Sequence, residues 1–357
     1  MKKELIGMTK TDLESMVKSL GGEAFRSRQL YRWLYKNLVF EFENMTDLPR
    51  DLRDRVKQVA SITLPVVERE RISRDGTVKV LLGLQDGQHV EMVMIPQTRA
   101  GRHRYTLCIS SQVGCPIGCP FCATGRSGFV RNLAVNEITG QVLLGLLRLR
   151  NSNTFKTQGS ATRLTNVVFM GMGEPFLNYD ATMASLRRLT DSTGMNFGAR
   201  RITISTVGII PKIEKFSRES LQVNLAVSLH SADSELRSQI VPANRIYPLK
   251  NLISACRAYT ELTHRRISFE YALIKDLNDT QPAAAQLAGL LKGMLCHVNL
   301  IALNPSKAYP LQGSSKEKVQ AFADALAERG IPVTVRLRRG IEIQAGCGQL
   351  ASSQNPL

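Results

Sequence analysis

No stretch of this 357-residue sequence is apolar for long enough to cross a bilayer; the longest hydrophobic runs are short and broken by Lys, Arg or Gly. No apolar run stands behind Met1-Lys2-Lys3-Glu4-Leu5, so a secretory signal is not expected, and the expected compartment is the cytoplasm with no membrane partner. Acidic residues are scarce: 30 Asp and Glu stand against 47 Lys and Arg, a formal net charge of +17. That balance suits an enzyme of small acidic or neutral metabolites poorly and a polyanion well, because each Lys or Arg near a phosphate releases condensed counterions. A surface that is basic only for solubility is the plainer reading, and the size of the charge favours nucleic acid over it. Paired cysteines are lacking too. The seven present, an odd number in a chain expected to be cytosolic, argue against a structural disulfide framework and for metal or reactive-thiol chemistry. There is no internal repeat and no low-complexity tract.

What is present allows a large core: 43% of residues are hydrophobic, which excludes global disorder. The length fits two to three domains, or one barrel with a small appendage. Residues 1–60 read as a helical accessory unit expected to bind RNA. Thr9 with Asp12 forms a capping pair before Leu13, Met16, Val17 and Leu20, and Gly21-Gly22 ends that helix. A second helix is predicted over Phe25–Asn37, with Arg28, Arg32 and Lys36 in a stripe beside Trp33; the stripe is equally readable as an RNA contact or as a solvated face. Residues 61–100 read as a β-rich linker in which Thr77–Leu84 and His89–Ile95 are joined by the hairpin signal Asp86-Gly87.

From residue 101 to 350 apolar strand-like runs alternate with helical segments. The strands are Thr106–Ser110, Asn166–Met170, Arg201–Thr206, Val223–Leu229, Ile267–Leu273, Val298–Leu303 and Pro332–Leu337; Ala134–Leu149 is the clearest helix. Such alternation predicts an α/β fold with a parallel sheet, either a partly closed barrel or a doubly wound layer. The polar stretch Asn151–Arg163 reads as a surface insertion, and residues 351–357 as a frayed tail.

The segment that carries chemistry is Cys115-Pro116-Ile117-Gly118-Cys119-Pro120-Phe121-Cys122, a C-x3-C-x2-C loop directly after a strand. Thiolates suit iron–sulfur clusters and zinc. Three of them can hold three irons of a cubane and leave the fourth open, which marks a site that does chemistry. Zinc would want a fourth Cys or His at close spacing, and none lies within the loop; the nearest histidine, His103, lies before the strand.

With its surroundings, this loop resembles the radical S-adenosylmethionine superfamily, and more narrowly the RlmN/Cfr family of RNA adenine methyltransferases. The resemblance rests on Cys108-Ile109-Ser110-Ser111-Gln112, on the loop followed by Ala123-Thr124-Gly125 and Arg131-Asn132-Leu133, on Gly171-Met172-Gly173-Glu174-Pro175, and on Gly346-Cys347-Gly348-Gln349-Leu350. It spans nearly the whole chain. Pro175 after Gly-Glu favours the RlmN branch, which makes 2-methyladenosine, over the Cfr branch, which methylates C8. The resemblance implies a partial (β/α)6-type radical SAM barrel with a helical N-terminal domain and a β-hairpin extension. It also implies a [4Fe–4S] cluster on Cys115, Cys119 and Cys122, and two molecules of S-adenosylmethionine per turnover.

The electron-poor C2 of adenine carries no readily removed proton, so ordinary SN2 transfer onto it is implausible and a radical route avoids the difficulty. By the same resemblance Cys347 carries the methyl group as S-methylcysteine. Cys108 resolves the protein–RNA adduct through a transient disulfide with Cys347, and Glu91 accepts the C2 proton. Read alone, Glu91 is one acid in an alternating strand, and each of the two cysteines could be a buried small hydrophobe, as Cys256 and Cys296 are expected to be. Met92 follows Glu91 where the family has Ser or Thr, and Gly346 precedes Cys347 where many relatives have Ala.

Gly173, Glu174, Ser205, Ser228, Leu229, His230 and Asn304 match the cofactor contacts; each stands at or just after a strand end, where ligands of such sheets bind. The implied substrates are 23S ribosomal RNA near the peptidyl-transferase centre and adenosine 37 of transfer RNA, presented unpaired or flipped. An electron donor such as flavodoxin or ferredoxin is implied, and a monomer is expected. Two rivals stand beside this reading: a C8-specific methyltransferase, and a non-catalytic RNA-binding protein with a structural metal.

Overall fold

The computed structural model describes residues 2–99, 102–151, 163–305 and 309–351. The polar stretch predicted as an insertion, apart from its two ends, and residues 352–357 of the predicted tail lie outside these. Near the amino terminus β1 (Lys3–Glu4) leads into α1 (Lys10–Ser19). Thr9 caps that helix reciprocally: its hydroxyl accepts from the Asp12 N–H at 3.0 Å, and the Asp12 carboxylate accepts from the Thr9 N–H at 3.1 Å. The next helix, α2 (Ala24–Arg32), continues as one π-helical turn, Trp33–Asn37, so the predicted second helix forms but changes hydrogen-bond register in its last turn. Arg28, Arg32 and Lys36 all face solvent, Arg32 paired with Asp47 at 2.9 Å. Then α3 (Arg50–Val59) runs into β2 (Ala60–Ser61), which pairs in parallel with β1. Leu5, Leu13, Leu30, Leu34, Tyr35 and Leu52 form a core of their own here, to which the following part adds Leu143, with Met195 packed against it. Full burial of each leucine contributes about 1.5–3 kcal/mol.

The chain then builds one ten-stranded sheet. β3 (Val66–Ile72), β4 (Val78–Gly83) and β5 (His89–Arg99) form an antiparallel meander, with Asp86-Gly87 turning the second hairpin at Gly87 φ 79. β5 pairs antiparallel with β6 (Arg102–Cys108), so the meander is fused to the main sheet. A small hairpin, β7 (Gln112–Gly114) and β8 (Phe129–Asn132), brackets the cysteine loop and the short α4 (Ala123–Arg126). Crossover units follow: α5 (Val135–Asn151), β9 (Arg163–Phe169), α6 (Tyr179–Thr190), β10 (Ile202–Thr206), α7 (Ile210–Ser217), β11 (Asn224–Ser228), α8 (Ser234–Ile240), α9 (Leu249–Thr263), β12 (Ile267–Leu273), α10 (Gln281–Leu291), β13 (Cys296–Ala302), α11 (Lys316–Glu328) and β14 (Val333–Val335).

The order β14-β13-β12-β11-β10-β9-β6-β5-β4-β3 is parallel from β14 to β6 and antiparallel beyond. Six βα units closed by a short extra strand give an open barrel, one of the two arrangements that the alternation allowed and the one that the family resemblance implied. Helices lie against it through their apolar faces: Ile138, Val142 and Leu149 of α5 are buried, and Gly145 lets that helix rest on Leu107. Because the strands are parallel, their carboxyl ends gather on one side. The candidate site is there.

Candidate active site

After Cys108 the chain leaves the sheet under firm control. The Ser110 N–H donates to Gln141 Oε1 at 2.8 Å, and the Ser110 hydroxyl donates to the Glu91 carbonyl at 2.6 Å. Gly114, at φ 74, turns the chain into the cysteine loop; a Cβ there would lie 1.9 Å from the Gly128 carbonyl oxygen, so only glycine lets β7 and β8 close around the loop. The Cys115 N–H donates to that same carbonyl at 2.8 Å. The loop thereby delivers Cys115, Cys119 and Cys122 to the wall of a single cavity.

Strand ends supply much of the remaining wall. Gly173 and Glu174 follow β9, Ser205 lies in β10, Ser228 and His230 end β11, and Asn304 follows β13; all six line the cavity. Leu229 does not: it is fully buried, and its N–H donates to the Glu270 carbonyl at 3.0 Å. Gly173 sits at φ 99 with Gln112 pressed against it, where a Cβ would come within 2.6 Å of the Gln112 Cβ. The Glu174 carboxylate is not directed at open space. It accepts from the Phe176 N–H at 2.9 Å and the Val207 N–H at 2.8 Å, and burial pushes its pKa up to about 7. Ser205 and Ser228 hydroxyls meet at 3.3 Å. His230 adopts φ 60, a rare conformation for a residue with a side chain, which places its ring edge-on to Phe121. Its Nδ1 accepts from the Ala272 N–H at 3.1 Å, which puts the proton of the neutral ring on Nε2; burial pushes the pKa down to about 3 and keeps the ring neutral.

The carboxyl-terminal segment closes the cavity. The Ala123 N–H donates to the Gly348 carbonyl at 2.8 Å and the Thr124 hydroxyl to the Leu350 carbonyl at 2.6 Å, strapping the segment to α4 just beyond Cys122. Asn304 Nδ2 donates to the Cys347 carbonyl at 3.1 Å, and a Cβ on Gly346 would lie 2.5 Å from that nitrogen. The absence of a side chain at Gly346 is therefore what lets Asn304 hold this segment so closely. Cys347 lies in the cavity wall, open to its solvent; the surrounding protein raises its thiol pKa, while the Arg336 guanidinium works against the rise.

Cys108 and Glu91 stand behind this wall. Cys108 is buried, which pushes its thiol well up, and charge on Cys347 raises it further, so the two sulfurs are within electrostatic reach although the chain separates them by more than two hundred residues. Val93 pairs with Cys108 across β5 and β6, which puts Glu91, two residues along, on the same face of the sheet. Glu91 is buried between Lys79, 2.9 Å from Oε1, and the Ala351 N–H, 3.0 Å from Oε2. Burial raises its pKa and Lys79 opposes this. Leu350, next to Ala351, lines the cavity, so Glu91 reaches the site only past that segment. Cys256 and Cys296 are buried in the barrel core with thiols pushed up to about 12 and about 11, as small hydrophobes would be.

Sequence reasoning missed Glu270 and Arg336 in the cavity wall, 3.6 Å apart, and Lys79 beside Glu91. The available signal was an acidic residue inside a strand whose remaining residues are uncharged, as Glu270 is in Ile267–Leu273.

The Radical SAM superfamily model matches residues 109–288, and the model for the ribosomal RNA large subunit methyltransferase N-terminal domain matches residues 3–62. The chain is 43% identical to the probable dual-specificity RNA methyltransferase RlmN of Syntrophomonas wolfei, over 98% of each chain. It is 45% identical to the like-named protein of Chloroflexus aurantiacus, over 96% of this chain and 90% of that one. A crystal structure of a radical SAM methyltransferase from Sphaerobacter thermophilus, 46% identical, matches it with a TM-score of 0.91 over 98% of this chain and 100% of that one. Fold and site together define a radical S-adenosylmethionine enzyme, a class that works with a [4Fe–4S] cluster and S-adenosylmethionine. Within that class the chain belongs to the RlmN family, and it is an RNA methyltransferase.

The residues present fit both groups. Cys115, Cys119 and Cys122 line one cavity wall, and a cubane takes one thiolate on each of three irons. Asn304 Oδ1 is buried in the cavity wall with no partner, an acceptor free for a donor such as an ammonium or a ribose hydroxyl. No helix among the described residues is long and apolar enough to cross a membrane.

Proposed function

We propose that this enzyme forms 2-methyladenosine in 23S ribosomal RNA and at adenosine 37 of transfer RNA, with Cys347 as methyl carrier. The observation that carries this reading is the placement of Cys347 in one cavity wall with Cys115, Cys119 and Cys122, and Cys108 within electrostatic reach of it. Cys115, Cys119 and Cys122 would hold the cluster; Gly173, Glu174, Ser205, Ser228, His230 and Asn304 would hold S-adenosylmethionine, with Leu229 shaping the turn from beneath. When bound, these groups supply the methyl group and a 5′-deoxyadenosyl radical.

The chain's own residues do the rest. Cys347 holds the methyl group, and the flanking Gly346 and Gly348 let the backbone approach Asn304 and α4. Glu91 takes the C2 proton of the adduct; each of its oxygens keeps a lone pair beyond those engaged by Lys79 and Ala351. Cys108, as thiolate, then attacks the Cys347 sulfur: the sulfur–sulfur bond forms, and the sulfur–carbon bond breaks with its electron pair passing to the released methylene carbon. That carbon takes up a proton to become the methyl group, and the disulfide must be reduced before the next turnover. Residues 1–60 would grip structured RNA, residues 61–100 carry the base, and residues 101–350 form the catalytic barrel. A cytoplasmic monomer reduced by a flavodoxin or ferredoxin completes the reading.

Cys108→Ala tests it. Incubated anaerobically with RNA, S-adenosylmethionine and reductant, the variant is expected to accumulate a covalent RNA–protein species that Cys108→Ala/Cys347→Ala does not form. Free methylated RNA from Cys108→Ala at the wild-type rate would overturn the assigned pairing.

A further inference from the structure

Arg237 of α8 is fully buried, and none of its partners is a carboxylate. Nε donates to the Leu229 carbonyl at 3.1 Å and Nη1 to Asn244 Oδ1 at 2.8 Å, while Nη2 donates to the carbonyls of Val207 at 2.7 Å and Ser228 at 3.2 Å. All four acceptors are neutral. Dipoles satisfy the donors of a guanidinium but do not cancel its charge, and an uncompensated buried charge is strongly destabilising. The missing negative charge is to be sought near the two carbonyls that Nη2 holds, and both Val207 and Ser228 line the cavity of the three cysteines. Cys119 packs in one apolar cluster with Ile240, Val241 and Ala243, at the end of Arg237's own helix and just past it. Glu174 sits on the other side of the Val207 peptide and makes no contact with Arg237; its burial favours the neutral acid.

We propose that Arg237 is the fixed counter-charge of the iron–sulfur cluster on Cys115, Cys119 and Cys122, and that it sets how readily this cluster takes up an electron. The inference rests on those three cysteines being the cluster ligands. Three thiolates around a [4Fe–4S]2+ core leave one net negative charge. One electron, delivered by an external low-potential donor of the flavodoxin or ferredoxin class, makes it two. A buried cation stabilises the second state more than the first, so its removal makes reduction harder. In sequence Arg237 stands among the polar residues of Ser234-Glu235-Leu236-Arg237-Ser238-Gln239-Ile240, with no motif to mark it as buried.

The test is a redox titration of the reconstituted full-length enzyme, followed by electron paramagnetic resonance of the reduced cluster, in wild type, Arg237→Lys, Arg237→Gln and Asn244→Asp. The last places a carboxylate against Nη1 and neutralises the charge where it stands. Arg237→Lys, which keeps the charge, is expected to titrate near wild type. Arg237→Gln and Asn244→Asp are expected to lose at least tenfold in the reduction equilibrium, about 59 mV more negative for one electron. Wild-type midpoint potentials in cluster-loaded Arg237→Gln would overturn the inference; if that variant fails to fold, an unshifted Asn244→Asp does so. Failure of the wild-type chain to assemble a cluster would instead remove the cysteine assignment beneath it.

Discussion

Glu174 is held between two peptide N–H groups, yet burial raises its pKa from 4.5 to about 7. Between those values the folded cofactor-free chain binds a proton that the unfolded chain has released. This group's contribution to stability is therefore full at acid pH and is lost as pH rises through about 7. The melting temperature of the cofactor-free enzyme is expected to fall from pH 5 to pH 8 more steeply than that of Glu174→Gln, and parallel slopes would contradict this. Glu91 poses the converse problem: burial raises its pKa and Lys79 lowers it. In Lys79→Met the base loses that opposition, so the pH at which turnover reaches half its plateau is expected to move up. An unshifted pH profile would remove Lys79 from the site. The charged residues that matter here, Lys79, Arg237, Glu270 and Arg336, were the least legible in sequence, because a charge inside a strand or helix reads as solvent-facing until its neighbours are known.

Where elements announce themselves by local chemistry, the sequence was readable. The Thr9–Asp12 box starts α1 where its pattern demands, and Asp86-Gly87 turns β4 into β5. Thr9→Ala is expected to cost about 1 kcal/mol of unfolding free energy, measured by denaturant titration, with cluster content unchanged. An effect above about 3 kcal/mol would mean that Thr9 does more than cap. β3 escaped prediction for a physical reason. As an edge strand, it leaves Val66 to Glu70 exposed and has a register shift between Val67 and Arg69, so the alternation that marks a half-buried strand is missing. The π-helical end of α2 has no signature in its residue types. Six of the seven proposed cofactor contacts lie on the cavity wall; the seventh, Leu229, turns its side chain into the core while its neighbours Ser228 and His230 face the site.

At the scale of the whole molecule, the parallel sheet does what no local pattern foretells: it brings Cys108, from its seventh-from-last strand, to the segment carrying Cys347. Only the family resemblance linked those two thiols in the sequence. The net charge of +17 has its own consequence. RNA affinity is expected to fall steeply with salt, log K declining by roughly 0.7–0.9 per log unit of salt for each phosphate neutralised. A salt-independent affinity would mean that the basic surface does not meet the substrate. The most direct measurement is anaerobic turnover of the reconstituted enzyme with methyl-labelled S-adenosylmethionine on ribosomal and transfer RNA, followed by nucleoside mass spectrometry. Labelled 2-methyladenosine from both RNAs, together with 5′-deoxyadenosine, is the expected result; label at C8, or no 5′-deoxyadenosine at all, would contradict it.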